Sequence, residues 1–268
     1  EKELEEKLEA YRSSLSEEQL DAMVEKTKAL EAYQEAGEDP KALECIPMLK
    51  RSDIKREAAK IINEELTVDD SLFLYHDVCT NGIGYVDLMF KTDSIAPEQI
   101  PYLGLLKSVL GYVDTENYTY GELFNEINAN TGGINCGVEV FDRADSTEEF
   151  QAMFSVRGKA LYTKMDFLFK MIGEILNSSK LEDTKRLYEI VASVKSRAQV
   201  NLTGAGHSTA VLRAAAYSSP MAAFQDEMAG IGYYQFIEKL EKDFEQRKEE
   251  TVEELCKLMK KILRPENF

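Results

Sequence analysis

Residues 101–113 read PYLGLLKSVLGYV. Wound at 3.6 residues per turn, Tyr102, Leu103, Leu105, Leu106, Val109, Leu110, Tyr112 and Val113 point in almost every direction. A helix that is apolar all round has to be enclosed on all sides. The chain must therefore build other layers around this segment, which the spacing predicts as a helix over about 97–113. A central helix of this kind is also a place where catalytic groups could be presented, and PYLGLL presents none.

The material available for enclosure comes mostly after residue 65. LFLYHDV (72–78) and IGYVDLMFKT (83–92) are rich in β-formers, and the turn signal CTNG separates them, so they read as an antiparallel hairpin. Thr119 with Glu122 three residues on forms a capping box, which starts a helix that Gly132 and Gly133 stop. Ile134, Cys136, Val138 and Val140 alternate with Asn135, Gly137 and Glu139, as in a half-buried strand. Phe150, Ala152, Phe154 and Val156 repeat that alternation after the polar connection DRADSTEE (142–149). Helical patterns then cover about 159–177, 181–201, 207–217, 219–229, 232–246 and 248–263. Strands come early and helices mostly late, which is the order of an α+β domain: an antiparallel sheet packed against helices.

Residues 1–64 differ in texture. Leu4, Leu8, Tyr11 and Leu15 make a narrow apolar stripe on a charged helix. Ser16 and Gln19 form a capping box that restarts it. At GEDP (37–40), Gly37 can end the helix, Asp39 can cap the next and Pro40 suits its first turn. Pro47 breaks the chain again, and Ser52 can cap another short helix. The organisation expected is a helical hairpin linker (1–64) before an α+β domain (65–268). The chain opens on EKELEEKLEAY, without Met and already in helical pattern, as a segment of something longer would.

The formal net charge is −17, from 49 acidic against 32 basic residues. That argues against a nucleic-acid binder, which needs a basic face, and against docking on an anionic membrane surface. No signal peptide or long apolar run is visible, and the expected location is cytoplasmic, or an organelle matrix in a eukaryote. Cys45, Cys79, Cys136 and Cys256 are scattered without any CxxC, so buried free thiols in a reducing compartment are expected. His76 would lie inside a strand as a structural histidine, with Cys79 on the opposite face, a poor metal geometry. His207 falls in LTGAGHST, where a turn before a helix capped by Ser208 explains it. HExxH, HxxEH, GxGxxG, GxxxxGK[ST] and GxSxG are all missing. No catalytic, cofactor-binding or metal-ligating residue is assigned to this segment.

Several stretches, taken in order, carry a resemblance: LECIPMLKRSDI (43–54), IPYLGLLKSVLGYVDTENYTYGEL (100–123), NANTGGI (128–134) and LRAAAYSSPMAAFQDEMAGIGYYQFIEKLEK (212–242). Together they make nearly the whole chain resemble the pitrilysin/insulinase family of zinc metallopeptidases, presequence protease branch. No single motif is diagnostic; their order and spacing make the case. The family has four related α+β domains in two halves joined by a helical hairpin, closing around an unfolded peptide. Its first domain carries zinc on an HxxEH helix. The resemblance implies that this chain is the hairpin plus the third domain, with Tyr102, Leu103, Leu105 and Leu106 where a catalytic copy has its ligands.

The function implied is a non-catalytic, chamber-forming segment of a peptidase that degrades unfolded peptides, zinc belonging to the parent and not to this segment. Its partners would be the other domains of the same polypeptide and the parent's peptide substrates. The family's arginine and tyrosine at the scissile bond belong to its fourth domain, beyond Phe268, so Arg213 and Tyr217 are not given that role. The alternatives are a scaffold of the same fold, as in processing-peptidase assemblies, and an unrelated acidic binding domain.

Overall fold

The computed structural model describes residues 2–37, 39–58, 60–69, 71–143, 145–146 and 148–268. The chain divides into two compact units, Glu1–Ile61 and Ile62–Phe268.

In the first unit, α1 (Lys2–Ser13) and α2 (Glu17–Glu35) are separated by the expected capping box. Ser16 Oγ accepts from the Gln19 amide, and Gln19 Oε1 accepts from the Ser16 amide at 2.9 Å. The helix α2 stops at Ala36, which turns extended, so Gly37 is not its terminator and has no left-handed φ. Asp39 accepts from the Lys41 amide at 3.0 Å and opens the short α3 (Pro40–Leu43), while Glu38 of that turn lies outside the described residues. Ser52 does not cap a helix. It sits inside a single 3-10 turn, Arg51–Asp53, and Asp53 accepts from the Lys50 amide at its start. No described residue of this unit is buried, and Leu4, Leu8, Tyr11, Met23, Leu30 and Tyr33 are exposed.

The second unit is the α+β domain expected, but two of its strands pair otherwise. β1 (Glu64–Val68) and β2 (Ser71–Tyr75) form a two-stranded antiparallel ribbon closed between Val68 and Ser71. Asp69 there has a φ of 48°; Asp70 lies outside the described residues. β3 (Ile83–Lys91) does not pair with β2 at all. The turn signal before it is real: Asn81 and Gly82 have φ of 53° and 84°, and the Ile83 amide donates to Thr80 O. Its partner is nonetheless elsewhere. The two-residue connection lets EELTV claim β2 at small loop-closure cost. β3, nine residues long, matches a longer strand.

That strand is β5 (Phe150–Leu161), central in a sheet ordered β3–β5–β4, with β4 (Ile134–Asp142) on its other side and both pairings antiparallel. One sheet face carries Phe154, Val156 and Ala160, all buried, with Val86 and Leu88 from β3 and Cys136 and Val138 from β4 packed against the core. The opposite face carries an ion-pair cluster: Arg157 pairs with Asp87 at 2.7 Å and with Glu139 at 3.1 Å across three strands. Pairing with Ile83 extends β5 to Leu161, so residues 159–161 are strand and not the start of a helix.

Helices supply the other layer. A 3-10 turn (Pro97–Gln99) leads into α4 (Ile100–Val109). After α5 (Tyr120–Asn130) and the β4–β5 hairpin come α6 (Met165–Ser178), α7 (Thr184–Gly204), α8 (Gly206–Ala215), α9 (Pro220–Ala229), α10 (Ile231–Lys242) and α11 (Phe244–Ile262). α7 and α8 are separated by Ala205 alone, so Ser208 lies within α8 and caps nothing.

Helix α4 is the enclosed element. Leu103, Leu105, Leu106 and Val109 are at most 1% exposed, and α7, α9, α10, α11 and β4 all pack on it. It ends at Val109, four residues before the apolar run does, because Gly111 takes a φ of 85° and turns the chain. Leu110 and Val113 are buried all the same, whereas Tyr112 is exposed. Gly104 allows the closest approach: a Cβ there would lie 2.5 Å from Met228 O and 2.8 Å from the Tyr233 ring.

Placing a charge among these contacts leaves it buried and unpaired. Leu106→Asp is expected to cost about 3–5 kcal/mol, read as a lower urea midpoint with an unchanged slope; an unchanged midpoint would refute the central position of α4. Amide exchange should divide the molecule likewise. The first 35 residues, none of them buried among those whose burial is described, should exchange fast, and α4, 86–90 and 150–156 slowly.

Candidate functional site

The N-terminal half of α4 is the segment that the resemblance sets against the zinc-bearing helix of a catalytic copy. Tyr102 is buried, its ring edge-on to Phe236 at 4.8 Å between centroids. Its hydroxyl receives a hydrogen bond from Arg247 Nη2 at 2.8 Å and donates to Glu250 Oε1 at 3.3 Å. Arg247 and Glu250 are one turn apart on α11 and are themselves paired. Next to them Gln99 Nε2 donates to Glu254 Oε2 at 3.1 Å, and Lys261 donates to Gln99 Oε1 at 3.2 Å. These bonds fasten the start of α4 to α11.

The electrostatics fit an anchor rather than a proton shuttle. Burial, first, and the neighbouring Glu250 raise the Tyr102 phenol above its ordinary value against the pull of Arg247. Hydrogen bonding to Arg247 lowers Glu250, and Gln99 with Lys257 lowers Glu254. The phenol therefore stays protonated and the carboxylates stay charged. Burial lowers Lys107, the charged residue of α4, with Glu139 opposing. Among the described residues no three His, Cys, Asp or Glu side chains come together in a way that could hold a metal ion.

Two further buried carboxylates are not singled out by the sequence. Glu174 on α6 accepts from the Asn117 amide at 3.1 Å and from Asn117 Nδ2 at 2.9 Å. It holds the loop 114–118, which Asp114 continues by accepting from the Tyr120 amide at 2.7 Å. The Thr115 hydroxyl first, then Asn117, pull the Glu174 carboxyl below its usual range. Asp226, 1% exposed, pairs with Arg213 and accepts from the amides of Ile231 and Gly232, both at 3.1 Å. It thereby caps α10 from the preceding helix. Gly230, between them, is the local sign of this helix–helix junction.

The residues weighed from sequence do not converge. Strand β2 stops at Tyr75, so His76 lies after it, exposed, with Nδ1 2.7 Å from Ile62 O. A carbonyl only accepts, so Nδ1 carries the proton. His207 is exposed on the first turn of α8. Arg213 is committed to Asp226, and its guanidinium lies 6.0 Å from the centre of the exposed Tyr217 ring. The expectation of buried thiols is corrected. Cys45 and Cys79 are exposed because the first unit has no buried interior among its described residues and the 76–80 loop is open. Cys136 and Cys256 are half-buried; burial pushes the Cys136 thiol up to about 12.

A family model described as peptidase M16 (subfamily C) associated matches residues 1–240. The chain belongs to this peptidase-associated family. It is 34% identical over 261 residues to Protein HypA of Clostridium perfringens, covering 97% of this chain and 26% of that one. Presequence protease 1, chloroplastic/mitochondrial, of Arabidopsis thaliana is 29% identical over 242 residues, 90% of this chain and 22% of its own length. The mitochondrial presequence protease of Saccharomyces cerevisiae is 28% identical over 277 residues, 97% and 28% of the two chains. The chain thus spans about a quarter of the length of these relatives. The family match runs through both units and includes α4, the 114–118 loop and the Asp226 cap.

The Glu174 contact has a pH signature. Its folded pKa lies below the ordinary 4.5, so its stabilisation is complete above pH 4.5 and lost as pH falls through the lower folded value. Glu174→Gln should flatten the loss of stability below that pH, and at neutral pH cost about 1–3 kcal/mol by setting an amide against the Asn117 donors. Urea unfolding across an acid series measures both; an unchanged acid slope would remove Glu174 from the account.

Proposed function

We propose that this chain is a non-catalytic, chamber-forming segment of a zinc metallopeptidase that degrades unfolded peptides, as a presequence protease does. The observation that carries the reading is the character of α4. The helix has the central place expected of a metal-bearing one, yet Tyr102, Leu103, Leu105 and Leu106 are all buried apolar or anchored side chains. Near-complete coverage of this chain by relatives about four times longer, several named presequence proteases, supports the same reading.

In this role the fold acts by enclosure. The α+β unit would form part of a chamber wall, and residues 1–64 the hairpin between two halves that open and close around substrate. Zinc would be held by residues of the parent protein outside this segment, supplying a polarised water for hydrolysis. An acidic wall favours cationic peptides, in keeping with the net charge of −17. Cytoplasm or an organelle matrix would be its compartment; among the described residues no helix is long and apolar enough to cross a membrane.

Reading the coding sequence upstream of Glu1 is the direct test: an HxxEH helix is expected, and its absence would turn the reading toward a scaffold of the same fold. The purified 268-residue chain should hold no stoichiometric zinc by metal analysis and cleave no fluorogenic peptide. Tightly bound zinc with chelator-sensitive cleavage would overturn the proposal.

A further inference from the structure

Helix α8 is unlike its neighbours. α6, α7, α9, α10 and α11 each bury at least four residues, whereas no residue of α8 is buried. Its least exposed large side chains, Thr209, Leu212 and Arg213, are only half-buried, and Val211 is 68% exposed. Little apolar burial therefore holds α8 in place, and elements with few buried contacts open first.

One ion pair fastens it. Arg213 reaches from α8 to Asp226 on α9, whose carboxylate also accepts from the amides of Ile231 and Gly232. From Ile190 to Gln225 there is no Asp or Glu, so Arg213 has no other carboxylate on its own helix or on the adjoining half of α7. The Thr209 hydroxyl turns back to Ala205 O. At its start α8 is joined to α7 through Ala205, which Gly204 and Gly206 flank. Neither glycine has a left-handed φ, and a Cβ on either would meet nothing within 4 Å. Neither the turn nor the packing demands glycine there; what the pair supplies is backbone freedom. At the other end the turn 216–218 leads into Pro220.

We propose that α8 is a strap that opens as one unit, hinged at Gly204–Gly206 and latched by Arg213 on Asp226, while α7, α9 and α10 stay folded. The latch has two states: Asp226 either holds Arg213 or keeps a buried charge without its cation, and this favours the closed position. When closed, α8 contributes Thr209 to the wall of a half-open groove shared with Ser108, Asn201 and Tyr233, so its release widens that groove. A released helix of ten residues does not keep its own hydrogen bonds in water, so the opening is recorded in the amides of α8.

The test is amide hydrogen exchange, resolved along the backbone by NMR, on the 268-residue chain. The amides of residues 210–215 are expected to share one level of protection, at least about tenfold below that of α9 and of residues 187–194. Arg213→Gln should lower the α8 level by a further factor of about ten or more, and Arg213→Lys by less. Because Arg213→Gln leaves Asp226 unpaired and weakens the whole domain as well, a second variant works in the opposite direction. Gly204→Ala with Gly206→Ala fits the closed structure and should raise protection along the whole of α8, not only in its first turn. Protection that declines smoothly toward the ends of α8 identifies helix fraying and overturns the proposal. So does protection equal to that of α9, an α8 level unchanged by Arg213→Gln, or a glycine variant whose gain stops at the first turn.

Discussion

The second unit depends on the burial of one helix that is apolar on nearly every side. Because past its first residue α4 turns only Lys107 and Ser108 partly to water, a sheet and four helices have to converge on it, and each approach constrains its neighbours. Gly104 sets the shortest of these distances, bringing Met228 O and the Tyr233 ring to where any side chain would stand. Tyr102 sets the orientation, since its hydroxyl has to meet Arg247 and Glu250 while its ring packs on Phe236. Packing to the density of a crystal then leaves little freedom in the angles between α4, α9, α10 and α11.

Features written in neighbouring residues were legible in the sequence. The capping boxes at Ser16 and Thr119 form as their spacing dictates, because both partners lie within one turn. The burial of α4 follows from its composition alone. The alternation in 134–140 and 150–156 places the correct residues on the core face. Partner choice was another matter. The β-rich character of 72–75 and 83–91 is plain, but which strand each joins is decided by distant segments: β2 by the ribbon with EELTV, and β3 by β5. The strand content of 159–161 was hidden for the same reason, as only the pairing with Ile83 makes it extended.

The polar groups that order the interior were invisible for a related cause. Glu174 and Asn117 are 57 residues apart, and Tyr102 and Arg247 are 145 apart. In the sequence each is one polar residue among many on a charged chain, and nothing local separates a buried Glu174 from an exposed Glu116. Tyr233 belongs to the same group. GIGYYQF gives no hint that the first tyrosine is enclosed, while the second reaches out to Glu238 at 2.8 Å.

The order of the main sheet, β3–β5–β4, places the strand made last between the two made first. Asp87 and Arg157, which face each other across β3 and β5, are separated by 70 residues. At ribosomal speeds of about 5–20 residues per second, roughly 4–14 seconds pass between the synthesis of one and of the other. Throughout that interval β3 has both backbone edges open and Val86, Leu88 and Phe90 without their sheet. The β4–β5 hairpin closes in microseconds once it exists. The time for which this apolar strand waits is therefore a property of translation, and the nascent chain has to be kept from pairing with others until Leu161 has been added.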